Sequence, residues 1–188
     1  MKTVVVYESM YGNTHAVAET IGGVLAASGP VDVVPVLLAT PELVASADLL
    51  VVGGPTHAHS MSTRTSRASS DKAVAEAIKR GNPPIVMDPH WQDPGLRDWF
   101  KTLTGVDGTF AAAFDTRFNA RALLTGRASR TIAHKLTRRG YQLVTEPESF
   151  LVDKATRLLA SEAERAAHWA NGLSTVVLAE QDPPPWEE

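Results

Sequence analysis

The sequence predicts a single α/β domain in which helices cover both faces of a parallel sheet. Short valine-rich runs recur, VVVY at 4–7 and DLLVVG at 48–53, and the second is apolar throughout, as a central parallel strand is. Each such run gives way to a stretch of helical periodicity, and this alternation continues along the chain. No internal repeat and no composition break marks a linker, so residues 1–180 read as one domain and 181–188, a proline-rich end, as a disordered tail.

The elements follow in order. Residues 2–7 read as a buried strand, and 13–28 as a helix with Val17, Ile21, Val24 and Leu25 on one face, stopped by Gly29 and Pro30. Residues 32–38 form a second strand, with Pro35 suggesting an edge. Thr40 and Pro41 open a helix as cap and first helical residue. The strand at 48–53 is followed by a loop at 55–61 and a helix at 69–80. Residues 84–88 fit either a short strand or an extended loop wall. A helix at 94–104 carries Leu96, Trp99, Phe100 and Leu103 on one side, a strand spans 108–114, and a helix at 127–139 ends at Gly140. Residues 141–144 and 148–152 read as one strand interrupted near Pro147, and 158–177 as a long final helix.

Bulk properties exclude several classes. The chain has 188 residues, enough for one real core, and no apolar run approaches the roughly 20 residues of a membrane span. The opening MKTVVVYE lacks the features of a secretory signal, so a cytoplasmic location is expected. There is no cysteine, which removes disulfides, thiolate catalysis and zinc–thiolate sites. A net charge of −3 signals neither a nucleic-acid surface nor an acidic tail. One stretch departs from this balance: Arg117, Arg121, Arg127, Arg130, Lys135, Arg138 and Arg139 occur without an intervening acid between the first and the last. It reads as a solvated helix face or a docking surface, and with Phe118 as its single aromatic it does not suggest nucleic-acid binding.

Function is most legible at 9–14. Ser9, Met10, Tyr11, Gly12, Asn13 and Thr14 lie between the first strand and the first helix. A helix N-terminus offers unpaired N–H groups and partial positive charge. Ser9 and Thr14 add hydroxyls, and Gly12 allows close approach or positive φ, so the loop suits phosphate. No lysine follows Gly12 as the nucleoside-triphosphate loop requires, and the G-x-G-x-x-G dinucleotide pattern is absent. A capped helix start with ordinary turn residues is the plain alternative.

The run Val5, Val6, Tyr7, Ser9, Gly12, Thr14, Ala18 and Ile21 resembles the opening signature of the flavodoxin-like family, residue by residue. The resemblance implies a flavodoxin-like three-layer sandwich, with a five-stranded parallel sheet in the order 2-1-3-4-5 and FMN at its edge. It implies that the loop of Pro55, Thr56, His57, Ala58, His59 and Ser60 runs beside the flavin ring. Asp115, Thr116, Arg117 and Phe118 are carried over as contacts in a third loop, with Phe118 equally suited to core packing. His57 and His59 are too few for a catalytic zinc site, and only Asp88 and His90 offer to complete one, so no metal is expected. His90 and Trp91 line the flavin's entrance, or Trp91 packs against Trp99.

Two redox roles follow from the resemblance. One is electron transfer through bound FMN to a redox partner protein. The other is an NAD(P)H-dependent oxidoreductase that reduces a small acceptor such as a quinone, a branch which Ser9 to Gly12 resembles and in which Tyr11 would meet the nicotinamide. The near-neutral charge, with His57, His59, Arg64, Arg67 and Arg117 against Asp115 in the candidate loops, speaks against a very low-potential donor. The minimal chain favours the electron carrier. A module binding some other phosphate ligand on the same fold is a further alternative.

Overall fold

The computed structural model describes residues 1–57, 59–79, 86–92, 94–106 and 108–181, without the side chains of 70–73, 75, 77 and 78. Seven strands make one sheet. They are β1 (Thr3–Tyr7), β2 (Val31–Pro35), β3 (Leu49–His57), β4 (Ser60–Met61), β5 (Phe110–Phe118), β6 (Gln142–Leu143) and β7 (Glu148–Val152). The order is β2-β1-β3-β5-β6, with β7 also pairing to β5 and β4 turned back on β3. Both β6 and β7 run parallel to β5, the first against Phe110 and Ala111 and the second against residues 114–118. They are thus the two halves of one interrupted fifth strand, and the parallel core has the expected order 2-1-3-4-5.

Helices cover both faces. α1 (Asn13–Leu25) and α7 (Glu162–Gln181) pack on one side, where Val17, Ile21 and Leu25 meet Ala166, Ala170 and Leu173 over Val5, Val51 and Phe114. On the other side lie α2 (Pro41–Ala45), α4 (Leu96–Thr102) and α6 (Ala128–Thr137), whose Val44, Phe100 and Ile132 close over Val6, Leu50 and Val52. This two-sided burial explains why β1 and β3 are apolar without alternation. α3 (Arg64–Lys79) precedes α4, and α5 (Ala122–Thr125) is a short helix after β5.

Several elements differ from the sequence expectation. The second strand ends at Pro35, which cannot donate to a ladder, and 36–38 form a 3₁₀ turn that leaves Leu37 and Leu38 exposed. β3 and β5 each continue past the predicted end, because Gly54 and Pro55 pair with Asp115 and Thr116, and β7 pairs with residues 114–118. The expected loop at 55–61 is instead a hairpin, Thr56 opposite Met61 and His57 opposite Ser60. α3 starts at Arg64, earlier than expected, and α7 starts late, at Glu162, because the main chain at Leu158 bridges to Val152 and donates to Asn13 Oδ1. α7 reaches Gln181, one residue into the expected tail, and the rest of that tail lies outside the described residues. Residues 86–88 adopt no regular strand, while Pro84 lies outside the described residues.

Gly53 and Gly54 show how closely the site end of the sheet is packed. A Cβ on Gly53 would strike the Phe114 ring, and one on Gly54 would meet Leu96 Cδ1. Absent side chains in β3 therefore let both layers approach the strand just below its carboxyl end.

Candidate functional site

The chain passes from β1 to β2 on one side and then to β3 on the other, so the order reverses between β1 and β3. Ligands in such sheets bind at this reversal, beyond the carboxyl ends of the strands. Tyr7 pairs with Gly53, which in turn pairs with Phe114, so the ends of β1, β3 and β5 come level.

The loop from β1 to α1 occupies that edge. Glu8 N–H still bonds to Gly53 O at 2.9 Å, after which the ladder stops. Gly12 is the residue before the helix and sits at φ +78°, the left-handed region that favours glycine. Helical bonding resumes with Ala16 N–H to Gly12 O at 2.9 Å. Among the described residues, no acceptor is present for the main-chain N–H groups of residues 9 to 15. Ser9 Oγ is buried and also lacks a partner. A buried hydroxyl without a partner, beside the free N–H groups of a helix start, is a place where an anion completes the hydrogen bonding. The residues present therefore fit the phosphate of FMN.

The remaining loop residues position this cradle. Thr14 Oγ1 and Thr116 Oγ1 are 2.7 Å apart in a buried contact, which joins the first loop to the end of β5. Met10 is buried, and its carbonyl accepts from Asp88 N–H at 2.8 Å. Both ends of the Asn13 side chain are engaged: Nδ2 donates to Thr156 O and Oδ1 accepts from Leu158 N–H, both at 2.9 Å, which fastens the segment after β7. Tyr11 is half-buried.

The hairpin is pinned to α6. Ala128 N–H donates to Thr56 Oγ1 at 2.8 Å, and Ser60 Oγ lies 3.1 Å from Thr131 Oγ1. His59 is exposed at φ 73°, a left-handed conformation of the kind tight hairpin loops use. Its main chain bridges to Gly126, where a Cβ would collide with the His59 carbonyl. Pro55 is buried, and Ala58 lies outside the described residues. His57 is half-buried, and burial pushes its pKa below the ordinary histidine value, against the pull of Glu8 and together with the repulsion of Arg67.

At the end of β5 the residues divide. Thr116 joins the cradle through Thr14. Asp115, expected to contact the ligand, has no exposed surface, and its Oδ2 accepts from Ser129 N–H at 2.8 Å to cap α6. Desolvation raises the Asp115 pKa, opposed first by the hydrogen bond from the Ser129 N–H. Arg117 Nη1 donates to Ala120 O at 2.7 Å, so its charge organises the chain after β5. Phe118 is exposed and not part of the core.

Glu8 and Arg67 were not foreseen as a pair. Glu8 Oε1 accepts from Ser62 Oγ, Oε2 accepts from Leu96 N–H at 2.8 Å, and Arg67 Nη1 lies 3.5 Å from Oε1. Both side chains are buried. They tie the end of β1 to the starts of α3 and α4. The available clue was an acid between Tyr7 and Ser9, at the end of a buried strand. Asp88 is a second unforeseen anchor: its Oδ2 is 3.1 Å from His15 Nδ1, while Oδ1 accepts from His90 N–H at 3.0 Å. His15 stacks on Tyr7 with centroids 4.4 Å apart. Trp99 packs against Phe100 and donates to Ala39 O, and no ring contact joins it to Trp91 among the described residues. No group of three metal-ligating side chains occurs among the described residues, and no described helix is long and apolar enough to cross a membrane.

Comparison with solved structures returns the same architecture. A flavodoxin from the domain Archaea matches at 20% identity and TM-score 0.63, over 95% of this chain and 99% of that one. Flavodoxin 1 from Bacillus cereus matches at 18% identity and TM-score 0.63, over 93% and 98%. The flavodiiron protein from Giardia intestinalis matches at 18% identity and TM-score 0.59, over 97% of this chain but 38% of that larger one. No curated protein matches. The family model described as Flavodoxin matches residues 5–169, and this chain belongs to the flavodoxin family.

Proposed function

We propose that the chain binds FMN at the carboxyl edge of its sheet and serves as an electron-transfer flavoprotein. The observation that carries this reading is the cradle at 9–15, with its unpaired N–H groups, the partnerless Ser9 hydroxyl and the left-handed Gly12. These groups would hold the phosphate, with Thr14 set in place by Thr116. Tyr11 and the hairpin of Thr56, His57 and His59 would border the ring. Bound FMN supplies the one- and two-electron chemistry that the chain's own side chains lack. The protein's part is to fix the phosphate, exclude water from the buried side and set the local charge.

A redox partner protein or a small acceptor such as a quinone would receive the electrons. Absorbance titration with FMN tests the reading. A perturbed flavin spectrum with saturable binding is expected, weakened at least tenfold by Gly12→Val. An unperturbed spectrum would refute it. Addition of NADPH or NADH to the loaded protein then separates the roles: bleaching without a partner protein marks an oxidoreductase, and no bleaching marks a carrier.

A further inference from the structure

A second concave site lies away from the cradle, on the α4 and α6 face of the sheet. It is a cleft of about 540 Å³ between the start of α3 and these two helices. Six cationic side chains line it: Arg64, Arg67, Arg97, Lys101, Lys135 and Arg139. Among the described residues Asp98 is the single carboxylate in its wall, and it is already held by Lys101 at 2.6 Å and by Arg64 at 3.9 Å. Arg67 is matched by Glu8. For Arg97, Lys135 and Arg139 no carboxylate partner is present among the described residues.

These three cations are nevertheless fixed. Arg97 Nε donates to Ser62 O at 2.8 Å, and its Nη2 to Met61 O at 2.9 Å. Arg139 donates to the carbonyls of Leu103, Lys135 and Phe100. Lys135 and Arg139 both lie over the Phe100 ring, 5.6 and 5.3 Å from its centroid. Carbonyls and a ring face orient these groups without cancelling their charge. Burial, and then repulsion from Arg139, Arg97, Arg138 and Lys101, holds the Lys135 ammonium below the usual lysine range.

Gathering like charges in a concavity is unfavourable unless an anion offsets them. The volume falls within the range of small-molecule sites, about 300–1,000 Å³. Phe100 is fully buried under the cations, so the described lining offers no aromatic shelf for a base. Recognition here therefore reads charge. Guanidinium forks set beside ammonium groups match phosphate oxygens best. We propose that this cleft binds the pyrophosphate group of a small molecule. The site uses none of the cradle residues, so it does not depend on the flavin reading.

Isothermal titration calorimetry of the full chain tests the proposal, with FMN in excess so that the cradle does not compete. Inorganic pyrophosphate is expected to bind at least tenfold more tightly than orthophosphate, and Lys101→Glu combined with Lys135→Glu is expected to lose at least tenfold. Arg64→Glu with Lys101→Glu alters only the exposed rim and provides a second test if the first variant unfolds. It too is expected to weaken binding. The variants place the signal in the cleft whether or not FMN binds. Wild-type affinity in a folded variant, or equal affinity for the two anions, would overturn the assignment. So would tighter binding of a ten-nucleotide RNA, which would mark a nucleic-acid surface. ADP and NAD⁺ as further probes distinguish the source: equal affinity indicates a nucleoside diphosphate, and a gain with NAD⁺ indicates a dinucleotide.

Discussion

Thr14 Oγ1 and Thr116 Oγ1 meet at 2.7 Å inside the protein although 102 residues separate them. One hydroxyl opens α1 and the other ends β5, so a single hydrogen bond joins two of the loops at the sheet's carboxyl edge. A buried neutral hydrogen bond contributes about 1 kcal/mol net. Thr14→Val and Thr116→Val should each lower stability by roughly that amount, and the double variant should lose less than the sum. Urea unfolding of the four proteins measures the coupling, and strict additivity would mean that the hydroxyls do not bond.

Gly12 isolates the cost of the left-handed turn. A Cβ there would meet nothing within 4 Å, so Gly12→Ala carries only the conformational penalty, about 1 kcal/mol. Gly23 has equally open surroundings but lies inside α1, where alanine is favoured by about 0.8 kcal/mol. The two substitutions should therefore shift the urea midpoint in opposite directions.

The Glu8–Arg67 pair should behave as a buried ion pair. Glu8→Ala leaves the Arg67 charge buried and unmatched, at a cost of about 3 kcal/mol. Replacing both residues with methionine should recover much of that loss. A double replacement no more stable than Glu8→Ala would show that the hydrogen bonds to Ser62 and Leu96, rather than the paired charge, carry the contact.

His57 should titrate below the ordinary histidine value of 6.5, because burial disfavours its charged form. A lowered folded pKa means that the unfolded chain takes up the proton first. The stabilisation is fully present above 6.5 and is lost as pH falls through the folded value. A proton NMR titration of the ring reads the pKa directly. His57→Gln should remove this part of the acid sensitivity, and a titration at or above 6.5 would contradict the burial.

Tyr7 should ionise late. Desolvation, then the charges of Asp88 and Glu19, raise its pKa from 10.0 to about 12. The neutral ring is favoured in the fold, so its contribution is intact below 10 and disappears as pH rises toward 12. Difference absorbance against Tyr7→Phe follows that one phenol, and a transition near 10 would show it to be solvated.

Local patterns determined much of this protein. Valine-rich runs alternating with helical periodicity were enough for the fold class, because burial on two faces leaves a signature within a few residues, while the strand order came from the family resemblance that the spacing from Val5 to Ile21 carries. The division of the fifth strand at Pro147 was legible for the same reason. Tertiary structure decided what depends on distant partners. β3 and β5 run past their predicted ends because neighbouring strands accept them there, and the loop at 55–61 became a hairpin held by α6. Asp115 turned inward as a helix cap, and Glu8 found Arg67, because a side chain's role at the sheet edge is set by which chain segment arrives beside it. The basic residues near the C-terminal half were visible as a run, but only folding brought Lys135 and Arg139 together with Arg97 and Lys101 in one cleft. Sequence spacing reports neighbours along an element, and packing alone reports neighbours across the fold.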